Sequence, residues 1–333
     1  MSIAIKTTRA FSNDLLSAHR LLGDPPADAA IAAVAEGGRE AVGALMHWLG
    51  NATELSPAEQ PPVIGQFFAD HAHLPAWADA KRMQRGMAFF QKHMGVVGLA
   101  LGTYSLPYTY LGANGVQLLW LTERIRTDTA RRLQETGEWV FAVNDPKNWK
   151  SNKAIYYTLK IRLIHAAARW FAYQSGRWDT AWGVPVCQED MVGTIGSFSY
   201  IVLRALRKMG IAMTEQEEED YLHHINVVGY VNGVMEDLTP QNLREAFHLD
   251  KLIAGRQFRS SEAGRGLTKA LLDTIGALAG TESARNLAAA QMRFFLGNDH
   301  ADALGIPDVP AETRLMSVVS RLPIFPKLIP SVV

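Results

Sequence analysis

Arg132, Glu135 and Thr136 share one helical turn of RRLQETGEWV, and His165 follows Thr136 after 29 residues in LIHAAAR. Imidazole is the commonest protein ligand for a metal ion, through a neutral ring nitrogen. A guanidinium donates to anionic oxygen, a hydroxyl donates or accepts, and a carboxylate takes a proton or holds a cation. One histidine on one helix and an Arg/Glu/Thr cluster on a neighbour are what a metal-centred cofactor held between two helices would use. A buried ion pair or an interface patch would use the same residue types, and the spacing alone leaves both open.

The helices that must position these groups can be read from periodicity. Taken as one helix, Leu118 to Trp139 places Leu118, Leu121, Ile125, Thr129, Arg132, Thr136 and Trp139 on a single stripe that starts aliphatic and turns polar, with Glu135 at its edge. From Asn152 to Gly176 a second helix carries Thr158, Arg162, His165 and Arg169 on one stripe and is otherwise mostly apolar, Lys160 being the main exception. A helix apolar around most of its circumference is buried, so its polar stripe needs anionic or metallic partners. Arg162 and Arg169, a turn to either side of His165, could reach carboxylates such as haem propionates. Ala166, Ala167 and Ala168 keep bulk away from the ring, as a flat macrocycle requires. A third helix opens with Gln188-Glu189-Asp190 and continues through Gly193, Thr194, Gly196, Ser197 and Ser199. Such small residues suit either close helix packing or a flat ligand, and Thr194 is the one assigned to a pocket.

Around these elements the chain reads as all-α, about ten or more helices in one domain over residues 1–333. Asp24-Pro25-Pro26 opens an Ala-rich helical segment to about Leu49, Trp77 to His93 form another helix, and Thr214 with Glu217 makes a capping box. Thr239-Pro240 places proline at a first helical position, Gly210 stops a helix, and Thr281 opens one that ends at Gly297. Residues 322–333, with three prolines among them, form an extended tail that could pack at a subunit contact in a homo-oligomer.

Composition removes several function classes. The 33 basic residues cancel 33 acidic ones with no block of like charge, which argues against nucleic acid as the main partner. A single cysteine, Cys187, excludes an internal disulfide framework and cysteine-based zinc sites. Residues 93–122 contain no Lys, Arg, Asp or Glu, but Ser105-Leu106-Pro107 and Gly112-Ala113-Asn114-Gly115 break the run, so it reads as core or pocket lining and no integral membrane span is expected. The N-terminus lacks the pattern of a secretory signal, which makes a cytoplasmic location the expectation. A helical di-iron site needs two Glu-x-x-His pairs, whereas the sequence holds one, Glu245-x-x-His248, and Asp220-x-x-His223 is only a variant beside the run EQEEED, read as solvated. His71-x-His73 and His223-His224 read as incidental pairs, the second pointing to different faces of a helix.

Several segments together resemble the latex-clearing-protein and MpaB-like family, the rubber-oxygenase catalytic domain. They are Arg132-x-x-Glu135-Thr136-x-x-Trp139-Val140, His165 in LIHAAAR, QEDMVGTIGSFSYIVLRALRKMG, YLHHINVVGYVNGVMEDLTP and, upstream, LPAWADAKRMQRGMAFF. They lie between residues 74 and 240 in the family's order. The resemblance implies a globin-reminiscent helical fold enclosing one b-type haem, with His165 as proximal iron ligand and Arg132 and Thr136 as the distal-helix pair. It implies a haem-dependent oxygenase using dioxygen, by oxidative cleavage of polyisoprene C=C bonds in the best-known members, and the expected cytoplasmic location points instead to an apolar unsaturated, phenolic or terpenoid small molecule as substrate. Here the chain departs from the pattern: rubber-cleaving members carry a lysine where this sequence has Glu135, and a carboxylate cannot repeat ligation of iron by a neutral amine. Glu135 is then either a general base or the partner that holds Arg132. A haem protein for gas or redox sensing, and a peroxidase-like oxidase, use the same parts.

Overall fold

The computed structural model describes residues 9–51, 57–122, 128–310 and 312. Among these the chain is helical, with short 3-10 turns, one π-helical turn and a single isolated antiparallel bridge between Gly112 and Phe258. The all-α expectation holds. The proline-rich tail lies outside the described residues.

The first layer is three helices, Pro25–Ala35, Arg39–Asn51 and Pro62–His71. Asp24 caps the first, with Pro25 ahead of the first free N–H groups. The Ala-rich segment is therefore two helices and not one, because the chain turns at Gly38, whose φ of +85° suits glycine. Ala27, Ile31, Ile64 and Phe68 form one core with Leu159, Leu163, Ala166 and Ala167 of the Lys153–Gln174 helix. That long helix carries His165, and its back face belongs to this core. A larger core lies beyond it, built from helices that include Thr129–Val143, Gln188–Phe198, Tyr200–Lys208, Glu215–Val231 and Glu262–Ala279.

The stripe drawn from Leu118 to Trp139 belongs to two helices, Val116–Leu121 and Thr129–Val143. Asp128 accepts from the Arg131 N–H and starts the second afresh, while Ile125 lies outside the described residues. Thr129, Arg132, Thr136 and Trp139 do share the second helix. The charge-free run of residues 93–122 breaks into Met94–Ala100, the π-turn Leu101–Ser105, Leu106–Tyr110 and Val116–Leu121, and no helix among the described residues is long and apolar enough to cross a membrane. The capping box of Thr214 and Glu217 is present, as is the Glu282–Leu296 helix ending at Gly297. Pro240 does not begin a helix; Asn242 caps Leu243–Gln257 by accepting from the Glu245 N–H. Nor is the acidic run solvated throughout, since Asp220 is fully buried between Arg82 and Arg85.

Candidate active site

A cavity of about 1780 Å³ opens between the Thr129–Val143, Lys153–Gln174 and Gln188–Phe198 helices, and Arg132, Glu135, Thr136, His165 and Thr194 all line it. Five of the seven residues singled out by spacing thus share one wall system. Arg162 and Arg169 do not line it. The Arg162 guanidinium donates to both carboxylate oxygens of Asp24, from Nε at 2.5 Å and Nη2 at 2.8 Å. Arg169 donates from Nε to Asp28 at 2.6 Å and from Nη1 to the Val186 carbonyl at 3.1 Å. Two aspartates one turn apart on the first layer therefore take the two arginines expected to meet anions in the pocket. The physical reason is angular: the cavity-facing stripe of this helix runs through Tyr157, Lys160, Ile161, Ile164, His165 and Ala168, and the arginines sit to its other side. His165 stands at the border between the two stripes.

His165 is half-buried on the cavity wall, and desolvation is the largest cause pulling its pKa down to about 4, with Arg169 and Arg132 adding repulsion. The ring is accordingly neutral at physiological pH, the form that binds a metal. Its Nδ1 is buried with no hydrogen-bond partner among the described residues. Of the three alanines beside it only Ala168 lines the cavity, while Ala166 and Ala167 pack into the first-layer core.

Across from the histidine, Arg132 is close enough to act on both His165 and Tyr110 electrostatically. Thr136 is half-buried on the wall, and its hydroxyl makes no hydrogen bond among the described residues. Glu135 pairs with Arg131 at 2.9 Å, and both are half-exposed, so its ion-pair partner is Arg131 in place of the expected Arg132. Thr194 lines the cavity, but its hydroxyl donates to the Asp190 carbonyl at 2.8 Å, which leaves its lone pairs to face a ligand. A Cβ added at Gly196 would meet nothing within 4 Å, and at Gly193 only Ile253 at 3.6 Å. Helix packing does not demand glycine at either position, which leaves room at the cavity wall as the reason for them.

Other lining residues escaped the reading of the sequence. Glu189 is fully buried and held by Arg256 at 2.8 Å and Gln257 Nε2 at 3.1 Å, while Asp190 is held by Arg20. The acids at the start of that helix are thus ion-paired wall as well as dipole partners, and nothing in local periodicity joins them to Arg20 or Arg256. Tyr108 donates to Asp250 at 2.8 Å on another part of the wall. Tyr157 and Lys160 line the cavity too; Lys160 was visible only as the exception on an apolar helix.

The arrangement fits a macrocycle held by one histidine: a neutral, half-buried imidazole with an orphan nitrogen, small residues on the wall, and a guanidinium and an unbonded hydroxyl on the neighbouring helix. Similarity to known proteins runs in the same direction. Residues 91–323 match the family model described as ER-bound oxygenase mpaB/B′/rubber oxygenase, catalytic domain. A curated relative, a rubber oxygenase from a Streptomyces species, is 28% identical over 303 residues, covering 88% of this chain and 73% of the relative. The solved structure of latex clearing protein in its closed state superposes with a TM-score of 0.78 at 23% identity, over 93% of this chain and 83% of that one. The fold is that of latex clearing protein, and the chain belongs to the mpaB/rubber oxygenase catalytic-domain family, as an oxygenase.

Proposed function

We propose that this protein is a haem b-dependent oxygenase that acts with dioxygen on an apolar unsaturated molecule of isoprenoid type, cleaving a carbon–carbon double bond. The observation that carries the reading is His165: a half-buried, neutral imidazole with a buried, unpartnered Nδ1, on the wall of a cavity it shares with Arg132 and Thr136. About 1780 Å³ is more than the roughly 300–1,000 Å³ of an ordinary small-molecule pocket, so cofactor and substrate can share it. The names of the relatives supply the substrate class, and the largely aliphatic and aromatic walls agree with it.

His165 would hold the iron. Bound haem supplies the activation of dioxygen that no side chain can. The protein's part is positioning and electrostatics. Arg132, on the cavity wall, would offer positive charge to oxygen that develops negative charge there. The Thr136 hydroxyl offers one donor there, and Thr194, its proton engaged by its own helix, accepts. Ile161, Ile164 and Val192 keep water off the alkene. Glu135, on the exposed side of the cluster with Arg131, holds that edge of the wall, and it places no amine where the related lysine stands.

The purified protein should show a Soret band or acquire one on titration with haem. His165→Ala should abolish haem uptake or shift the spectrum strongly. An unchanged spectrum in that variant removes the assigned ligand. Oxygen consumption with squalene, accompanied by carbonyl products, is expected from the loaded protein; reversible gas binding with no turnover would reduce it to a haem-binding sensor.

A further inference from the structure

With Arg162 and Arg169 engaged by Asp24 and Asp28, the half-buried cation that the His165 helix turns to the cavity is Lys160. It stands five residues before His165 on the cavity-facing stripe and is half-buried. Its Nζ lies 5.1 Å from the centre of the Tyr157 ring, which holds the ammonium against the wall. Burial pushes its pKa down, and the fields of Glu135 and Glu138 push it back up. Neither carboxylate closes on it: Glu135 is paired with Arg131, and Glu138 accepts from Gln134 at 2.9 Å. Among the described residues Lys160 has no ion pair or hydrogen bond, only the ring. A partly desolvated ammonium in that setting is best satisfied by an anion brought in from outside the chain.

We propose that Lys160 is a carboxylate anchor, receiving the carboxylate of a molecule bound in the cavity that His165 also lines. Where that carboxylate is the cofactor's, the inference rests on the haem reading above. A carboxylate-bearing apolar substrate presents the same chemistry, and Lys160 then sets its direction in the cavity. In either case the helix that offers the imidazole also offers the charge that fixes the ligand's rotation.

The test is titration of the full chain, followed by absorption and calorimetry, with haem, haem dimethyl ester, oleate and methyl oleate. Loss of a charge-assisted contact should weaken binding of the acid form roughly tenfold in Lys160→Met and leave the ester unchanged. Lys160→Arg should restore most of the affinity. A deficit confined to haem assigns the anchor to the cofactor, and one confined to oleate assigns it to the substrate. Lys160→Met that binds both acids as tightly as the native protein overturns the proposal, as does one that loses acids and esters equally. If the native protein takes up no haem, the haem reading fails and the oleate pair decides Lys160 alone.

Discussion

At the scale of single residues, the two arginines flanking His165 show how a correct helical stripe can carry a wrong role. Arg162 and Arg169 are buried, as the apolar helix around them demands, and burial of a guanidinium requires an anion. The sequence offers many carboxylates, and the pair that answers lies about 140 residues upstream, at Asp24 and Asp28. The bidentate Arg162–Asp24 contact also ties the cap of the Pro25–Ala35 helix to the helix that carries His165. Asp24→Ala should therefore cost about 3–5 kcal/mol of stability, because it leaves a buried guanidinium unpaired. Urea unfolding should show that loss equally with and without added haem. A loss seen only in the haem-loaded protein would mean that Arg162 serves the cofactor after all.

Among the elements, the helices themselves were readable wherever caps and periodicity agree. Thr214 with Glu217, Asp24 with Pro25 and Thr281 each start a helix where their side chains can satisfy open N–H groups. The cluster of Arg132, Glu135, Thr136, His165 and Thr194 was legible because it falls on helical faces of unusual polarity. Partnerships between helices were not legible, since an ion pair such as Arg256–Glu189 leaves no periodic trace. The pairing of Ala80–Lys92 with Glu215–Val231 is the clearest case. Its contact point is Gly86, where an added Cβ would lie 2.6 Å from the Asp220 carbonyl oxygen and 2.7 Å from the His224 Cβ. Glycine there is a matter of close approach, and it allows Arg82 and Arg85 to reach the buried Asp220 carboxylate at 2.9 and 2.5 Å. Gly86→Ala gains helix propensity but must push two backbones apart. It should destabilise the protein by about 1–3 kcal/mol, read as a lower midpoint in chemical denaturation. An unchanged or higher midpoint would show that this helix pair slides freely.

For the molecule as a whole, the balance of buried histidines sets its response to acid. His223 accepts the Asp79 N–H at 3.0 Å through Nε2, closing the start of the Ala80–Lys92 helix against Glu215–Val231. Burial, with Arg82 repelling, holds its pKa down at about 4, against the opposing fields of Asp79 and Asp220. His224, fully buried beside Trp149, is pulled down to about 3, again chiefly by burial. In the unfolded chain both titrate near 6.5, so between that pH and about 4 the unfolded state binds more protons than the folded one. Stability from these groups is then complete above pH 6.5 and is lost progressively as pH falls toward 4. Carboxylates with depressed pKa, such as Glu217 at about 2, act in a lower window, below roughly pH 4.5. Urea midpoints should therefore fall between pH 7 and pH 5, above the window of the carboxylates with depressed pKa. His223→Gln keeps an acceptor for the Asp79 N–H but cannot gain a proton, and its midpoint should fall less steeply over that interval. If the native and His223→Gln slopes run parallel, His223 is not among the groups that make the folded protein acid-sensitive.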